Sequence, residues 1–325
     1  MSSKDITKHI RQRQACDKHL KEISGIADKV VVSVSSGKTS TYLALNKNPE
    51  DKRPYYYQFA VVLTSDKKAR PKDKGLLREC QNKIPWFEAS HEVDESLKII
   101  LQLEQELNKE IRWVASHLTL ENLINEKRIL PDRSKRFCTQ YLKYEPQSWD
   151  TYLNLSDGLK FDDNSFIPNP LSIEMQIGFR WDERKRVFNA LGFEENKSCL
   201  DSFKFAQSCD LLGQFSGNHR WKQTEWRLRT FPLYSRRVTI EHILEYWQKR
   251  NWDYKFPKIS NCSFCFHKNK KELQEQANHY PERLPNWIEQ ETKTGHTFNK
   301  NGSMKDIIFG DIQIKSDQMP CLCTD

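Results

Sequence analysis

Apolar, β-branched runs alternate with amphipathic stretches along the first half of the chain. Runs rich in valine and aromatic residues predict three buried strands, over Val30–Val34, Tyr55–Leu63 and Ile111–Ser116. Apolar residues at helical spacing predict three helices, over Lys72–Lys83, Asp94–Leu107 and Thr119–Ile129. Asp94 is predicted to cap its helix, and Trp86–Ala89 is predicted to form a further short strand.

The second half of the chain gives fewer signals. Ile173–Phe179 predicts a strand and Thr239–Arg250 predicts a helix, whereas residues 154–172 have the composition of a long loop. Residues 192–222 show no periodicity that predicts either element. Because strands alternate with helices, the pattern predicts an α/β fold, with a mostly parallel sheet flanked by helices.

Composition narrows the class of protein. Lysine and arginine number 52 against 44 acidic residues among 325, which gives a formal net charge of +8. This excess suits anionic ligands such as nucleotides or nucleic acid, although a basic surface without a ligand explains it equally well. A membrane-spanning helix needs about 20 consecutive apolar residues, and no apolar run in the sequence is close to that length. The first residues also lack the apolar core of a signal peptide. We therefore expect a cytoplasmic protein that does not contact a membrane.

The turn after the first predicted strand has the composition of a phosphate-binding loop. It consists of Ser35, Ser36, Gly37, Lys38, Thr39 and Ser40. A helix that begins here presents unpaired backbone N–H groups and the positive end of its dipole, which favours phosphate. A Walker A loop is excluded because it needs a glycine five positions before Gly37, where this chain has Val32. An ordinary strand–turn–helix connection remains the alternative.

Three of the nine cysteines stand in patterns that indicate chemistry. Cys138 lies in a basic stretch, residues 133–143, which favours the thiolate and hence metal ligation or nucleophilic attack. Cys262 and Cys265 form a Cys-x-x-Cys pair. A structural zinc ion would need two more ligands, for which the candidates are His267, Cys138, Cys321 and Cys323. An iron–sulfur cluster bound by three cysteines would leave one iron open.

Four segments together resemble the phosphoadenosine phosphosulfate (PAPS) reductase-like family, in the branch common in phages and mobile elements. These segments are Ser35–Ser40, Arg136–Lys143, Ile177–Arg186 and Asn261–Lys268. The family belongs to the adenine nucleotide alpha-hydrolase superfamily, whose pyrophosphatase (PP) loop is of Ser-Gly-Gly-x-Asp-Ser type. Here Ser36 replaces the first glycine and Thr39 replaces the aspartate.

The resemblance implies a Rossmann-like nucleotide-binding core over residues 29–260, after a helical lead-in over 1–28 and before a C-terminal cysteine-containing region over 261–325. It also implies that the loop from Ser35 to Ser40 binds the phosphates of ATP or a related adenylyl nucleotide, with Mg²⁺ on the phosphate oxygens. Lys143 and Arg180 are expected to balance phosphate charge. Asp66 follows a predicted strand and is expected either to contact the ribose or to cap the turn.

Two departures from the family bear on the reaction. Reductases with a [4Fe–4S] cluster use an adjacent cysteine pair and a later Cys-x-x-Cys pair, but here Phe137 replaces one member of the first pair. The remaining Cys138, Cys262 and Cys265 resemble the ligand sets of sulfur-transfer enzymes instead. The reductases' C-terminal Glu-Cys-Gly-x-His setting is also missing around Cys321 and Cys323.

Three hypotheses follow for the function. The first is an ATP-binding PP-loop enzyme that couples adenylation and pyrophosphate release to sulfur transfer, with an iron–sulfur cluster. The second is a reductase that releases sulfite from PAPS or adenylyl sulfate. The third is a non-catalytic nucleic-acid-binding module stabilised by zinc. The sulfur acceptor, whether nucleic acid or a small molecule, and the oligomeric state stay open.

Overall fold

The computed structural model of the protein describes residues 27–132, 134–155, 160–162, 165–167, 173–191, 200–206, 221–252, 256–257 and 262–310. The predicted lead-in, apart from its last two residues, and the cysteines Cys321 and Cys323 lie outside these residues. Among the helices that the structure describes, all are too short or too polar to cross a lipid bilayer.

The strands form one large sheet and one small hairpin. They are β1 Lys29–Val34, β2 Tyr55–Val61, β3 Ile111–Ala115, β4 Lys160–Asp162, β5 Ser165–Ile167, β6 Ile173–Gln176, β7 Leu200–Ala206 and β8 Trp221–Thr230. The large sheet has the order β3-β2-β1-β6-β8-β7, and β4 pairs with β5 in antiparallel fashion. Five strands of the large sheet are parallel, and β7 runs antiparallel to β8. The predicted α/β fold with a mostly parallel sheet flanked by helices is therefore confirmed.

The helices follow the predicted alternation. The described α-helices are Lys38–Leu45, Lys74–Lys83, Asp94–Leu107, Leu120–Lys127, Phe137–Thr139, Glu145–Asp150, Arg184–Leu191, Pro232–Ser235, Ile240–Lys249, Lys270–His279, Leu284–Thr294 and Met304–Phe309. Within the described residues, the other helical segments are two of π type, Gln140–Tyr144 and Thr151–Leu155, and three 3₁₀ turns, Lys67–Ala69, Trp181–Glu183 and Pro281–Arg283. Each of the four amphipathic stretches that the sequence predicts to be helical forms a helix.

Three local predictions are wrong. Residues 154–172, which are predicted to form a long loop, contain the β4–β5 hairpin at 160–162 and 165–167. Residues 86–89 do not form a strand, since the only pairing nearby in the described part of the chain is an isolated bridge between Ser90 and Leu63. Asp94 does not cap its helix, because Val93 occupies the N-cap position and Asp94 is already helical. The Asp94 carboxylate instead accepts a hydrogen bond from the Lys72 backbone N–H at 3.2 Å.

Contacts divide the chain into two compact units. The first unit comprises Met1–Ser33, Lys38–Tyr57 and Ser148–Asn251, and the second comprises Val34–Gly37, Gln58–Gln147 and Trp252–Asp325. The predicted domain boundaries after residues 28 and 260 stay a prediction.

Each unit has its own buried apolar cluster. In the first unit, Val31 of β1 packs with Met175 of β6, Leu228 of β8 and Phe188 of the Arg184–Leu191 helix. In the second unit, the cluster contains Leu123, Phe137, Phe264, Trp287 and Ile307, among others. Apolar burial of this kind is the main stabilising term for each core.

Candidate functional site

Small residues connect β1 to the helix that follows it. β1 ends at Val34 and the helix begins at Lys38, whose side chain is exposed, whereas Ser36 is buried. The Gly37 backbone N–H donates to Ser35 Oγ at 3.2 Å, which tightens the turn. The first turn of the helix contains no acidic residue. An anion at this helix start would therefore meet the positive end of the dipole without an opposing carboxylate there.

Arg180 contacts the first turn of this helix. Its Nη1 donates to Thr39 Oγ1 at 3.2 Å. Its Nε and Nη2 donate to the Asp182 carboxylate at 3.0 to 3.2 Å, and Glu183 Oε2 lies 3.3 Å from Nη1. The side chain of Arg180 is only 14% exposed. Two neighbouring carboxylates thus hold the guanidinium in one orientation, with Nη1 directed at Thr39.

Two further contacts fix the helix start within the first unit. A Cβ atom at Gly178 would meet Thr39 Cγ2 at 3.4 Å and Ser40 Cα at 3.5 Å, so the segment after β6 lies directly against the helix. Trp247 Nε1 donates to the Lys38 carbonyl oxygen at 3.0 Å. The structure therefore brings together Lys38, Thr39, Ser40 and Arg180 among the predicted site residues.

Asp66 has a structural role in the second unit. Its side chain accepts a hydrogen bond from the Lys68 backbone N–H at 3.0 Å and caps the 3₁₀ turn Lys67–Ala69. Of the two roles expected from the sequence, the structure shows the turn cap. Contact with a ribose stays a prediction.

The three predicted metal ligands lie against one buried cluster of the second unit. Cys265 belongs to that cluster, and Cys138 and Cys262 pack against it as partly buried side chains. Among the cysteines that the structure describes, none forms a disulfide bond. The topology thus brings two segments that are more than a hundred residues apart in sequence to the same core.

These thiols are not arranged as a ligand set for a metal. Within the described residues, no three histidine, cysteine, aspartate or glutamate side chains stand at the spacing that holds a metal ion. Two hydroxyls next to the cysteines, Thr139 Oγ1 and Ser263 Oγ, are buried without a hydrogen-bond partner in this part of the chain. Buried polar atoms far from these cysteines in sequence, such as Gln102 Oε1 and Gln290 Oε1, share this property, so the two hydroxyls do not by themselves mark a ligand site. The metal at Cys138, Cys262 and Cys265 stays a prediction, and no chemical step is derived from it.

A buried carboxyl group accompanies Cys262. Glu92 is 3% exposed, its Oε2 accepts from the Val62 backbone N–H at 3.2 Å, and Cys262 Sγ lies 4.0 Å from its Oε1. Burial raises the pKa of Glu92, and the positive charge of Lys143 opposes this shift without cancelling it. Lys143, which we expected to act on phosphate, therefore lies within electrostatic reach of Glu92.

A second buried carboxylate, Glu121, is fully engaged by hydrogen-bond donors. It accepts from Thr64 Oγ1 at 2.6 Å, from the Ser65 backbone N–H at 3.0 Å and from Asn286 Nδ2 at 2.8 Å. His91 Nε2 lies 3.4 Å away. Desolvation would raise the pKa of Glu121, but the hydrogen bond and charge of His91, together with Thr64 and Ser65, outweigh it and hold the pKa far below its ordinary value.

Sequence reasoning did not identify Glu92, His91 or Glu121. One signal was available, because Ser90, His91 and Glu92 are consecutive polar residues directly before an amphipathic helix. A short polar run of this kind is usually a solvent-exposed loop. Only the tertiary packing shows that all three side chains are at most 3% exposed.

Comparisons with protein-family models, with curated proteins and with solved structures each found no match for the chain. The assignment of a function therefore rests on the residues themselves and on the geometry described above.

Proposed function

We propose that the chain binds an adenine nucleotide through its phosphates at the turn from Ser35 to Ser40. The observation that carries this proposal is the contact between Arg180 and Thr39 at the start of the helix after β1. A guanidinium fixed beside a helix N-terminus combines two sources of positive potential at one place. In a parallel sheet, the carboxyl end of a strand is also where ligands commonly bind.

The more specific reaction that we propose is adenylation of an acceptor as a step of sulfur transfer. An acceptor oxygen would attack the α-phosphorus of ATP, the bond to the β-phosphate oxygen would break, and pyrophosphate would leave. Arg180 would compensate the negative charge that develops on the phosphate oxygens. Mg²⁺ would neutralise the triphosphate, and the cysteines Cys138, Cys262 and Cys265 would supply the sulfur chemistry.

Nucleotide binding is tested by calorimetric titration of the purified chain with ATP. Gly37→Asp places a carboxylate in the turn and is expected to abolish binding, because like charges repel at short range. Asn48→Asp serves as the matched control. It adds the same charge at an exposed position of the first unit, where the side-chain oxygen accepts from the Glu50 N–H and is retained in aspartate. Equal affinity of the wild type and Gly37→Asp would refute the proposal.

The reaction is tested by incubation with each candidate nucleotide. Pyrophosphate release from ATP supports adenylation, whereas sulfite release from PAPS in the presence of a thiol supports the reductase hypothesis. If neither product forms, only the binding proposal survives, and it is judged by the titration above.

Metal analysis after anaerobic purification distinguishes the roles of the cysteines. Iron together with acid-labile sulfide supports the iron–sulfur hypothesis. About one zinc ion per chain without iron supports a structural zinc site instead. Cys138→Ser, Cys262→Ser and Cys265→Ser should each lower the metal content, whereas Cys80→Ser should leave it unchanged because Cys80 is a buried residue outside the predicted ligand set.

A further inference from the structure

A cluster of arginines surrounds Trp181 in the first unit. The guanidinium carbon of Arg184 lies 4.5 Å from the centre of the Trp181 ring, and that of Arg237 lies 5.4 Å from it. The Trp181 backbone N–H donates to the Val238 carbonyl oxygen at 2.9 Å, so the two segments that carry these arginines are fixed to each other. Both arginines are exposed to solvent.

Arg184 and Arg237 differ from the neighbouring arginines in that neither forms an ion pair with a carboxylate within the described residues. Arg180 is paired with Asp182 and Glu183, and Arg186 is paired with Glu183. Among the residues that the structure describes, Arg184 and Arg237 have no carboxylate partner, and Trp181 is the side chain with which each interacts. Asp182 and Glu183, the acidic residues beside Arg184 in sequence, are thus paired with other arginines, while the exposed Glu241 lies within electrostatic reach of Asp182 and not in an ion pair with either Arg184 or Arg237.

The backbone at Arg237 adds to this picture. Arg237 has a φ angle of +56°, a left-handed conformation that glycine and asparagine adopt more easily than arginine. The turn that imposes it also places the guanidinium over the ring of Trp181.

A guanidinium that stacks on an aromatic ring keeps its N–H donors in its own plane. Those donors remain available for the oxygens of a phosphate, to which arginine can bind through two parallel hydrogen bonds. We propose that Arg184, Trp181 and Arg237 form a binding surface for the phosphodiester backbone of a nucleic acid.

The exposure of the two arginines favours a polymer over a single small anion. An exposed ion pair contributes little in water because solvent and salt screen it. A nucleic acid engages several cations at once and releases the counterions condensed on it, so that the individual weak contacts add up. The excess of basic residues over the whole chain, 52 against 44, acts in the same direction.

The test measures binding of a fluorescent oligonucleotide of about 20 nucleotides, in single-stranded and duplex form, between about 50 and 200 mM salt. The double variant Arg184→Gln/Arg237→Gln should bind roughly tenfold more weakly than the wild type. Each arginine–phosphate pair that the variant cannot form should reduce the slope of log affinity against log salt by about 0.7 with a single strand, and by about 0.9 with a duplex. Thermal melting verifies that the variant is folded.

The matched control is Arg78→Gln/Arg128→Gln, which removes the same charge from two exposed arginines of the second unit. This control should weaken oligonucleotide binding much less than Arg184→Gln/Arg237→Gln does. The proposal is overturned if neither form of the oligonucleotide binds the wild type, or if the two double variants lose affinity equally. It is also overturned if polyglutamate at the same charge concentration displaces the oligonucleotide completely, because an acidic protein would then be the better partner.

The inference does not depend on the adenine nucleotide site. ATP binding measured on the same preparations reports that site separately, and the Arg184→Gln/Arg237→Gln variant should retain it. Loss of oligonucleotide binding with ATP binding intact supports the surface alone, while loss of ATP binding in Gly37→Asp bears only on the proposed function.

Discussion

Arg180 in the first unit and Glu121 in the second are both charged side chains with several hydrogen-bond partners, but the partners come from different places. The two carboxylates that hold Arg180, Asp182 and Glu183, are its near neighbours in sequence. The donors to Glu121 come from segments that are far apart, around Ser65, His91 and Asn286.

This difference distinguishes a candidate ligand-binding residue, Arg180, from a residue that stabilises the fold, Glu121. Local pairing with Asp182 and Glu183 fixes the orientation of Arg180 beside Thr39, where a ligand phosphate would compete with these carboxylates for its N–H donors. Glu121 connects three segments of the second unit, and its burial means that each donor would lack an acceptor without it. We therefore expect changes at Glu121 to affect stability and changes at Arg180 to affect binding.

The largest expected effect is the loss of stability in Glu121→Ala. Removal of the carboxylate leaves Thr64 Oγ1 and Asn286 Nδ2 without their buried acceptor and removes the close contact with His91. Breaking a buried network of this kind costs about 3 kcal/mol, which denaturant unfolding measures as a lower transition midpoint.

Glu126→Ala is the control for this change, because Glu126 lies on the same helix and is exposed. It should change the free energy of unfolding by less than about 0.5 kcal/mol. Equal destabilisation by both variants would show that the helix, and not the network around Glu121, determines the loss.

Arg180→Met is expected to weaken ATP binding by roughly 30-fold, about 2 kcal/mol, because methionine cannot donate a charge-assisted hydrogen bond to phosphate. Its cost in stability should stay below that of Glu121→Ala, at about 1 to 2 kcal/mol, because Asp182 is partly exposed and the buried Glu183 keeps its ion pair with Arg186. Arg180→Lys should recover only part of the affinity, because lysine lacks the planar fork.

Calorimetric titration and denaturant unfolding of the same samples verify this prediction. Lys185→Met is the matched control, because this neighbouring side chain is exposed. If Arg180→Met binds ATP as well as Lys185→Met does, the contact with Thr39 has no bearing on the nucleotide.

The sequence predicted the local elements of the first half of the chain well, because each depends on patterns within ten or so neighbouring residues. β1 and the Asp94–Leu107 helix are examples in which the valine run and the apolar spacing determine the element. β7 and β8 were both missed, because the polar–apolar alternations at 202–205 and 226–229 are only four residues long, and the pairing of the two strands provides the missing information. Tertiary context overrides propensity in such strands.

The site was predictable only in part, for the same reason. Arg180 and Thr39 are 141 positions apart in the sequence. A pattern of neighbouring residues cannot predict a contact over such a separation. The resemblance to a family named both residues and included Glu121 in a matching helix start, but it assigned no role to Glu92 or Glu121. Those carboxylates matter because they are buried, and burial is a property of the folded chain.

A third prediction compares the pH dependence of two buried carboxylates in the second unit. Burial raises the pKa of Glu291 above its ordinary value of 4.5, although the Phe298 and Met304 N–H groups oppose this. The unfolded chain therefore releases the proton at lower pH than the folded chain, and stability falls as pH rises from about 4.5 through the folded pKa. Glu121 behaves oppositely, since its depressed pKa contributes stability that is lost only as pH falls below 4.5.

Glu291→Gln tests this difference through the slope of the free energy of unfolding between about pH 5 and 8. The variant is expected to be less stable at every pH, because an amide nitrogen replaces one of the two oxygens that accept from Phe298 and Met304. Its stability should nevertheless fall less with rising pH than that of the wild type. Identical slopes would show that Glu291 ionises alike in both states.

The smallest expected effect concerns Asp66, whose side chain caps the Lys67–Ala69 turn. Asp66→Ala should lower the free energy of unfolding by about 0.5 to 1 kcal/mol, the usual cost of removing a cap, and Thr119→Ala should cost a similar amount because Thr119 caps the Leu120–Lys127 helix. Asp66→Asn keeps the accepting oxygen and should cost less.

If Asp66 acts only as a cap, ATP affinity stays within about twofold in all three variants, because no bond to the nucleotide is removed. A tenfold loss of ATP affinity in Asp66→Asn, with stability unchanged, would instead assign the carboxylate to the ribose.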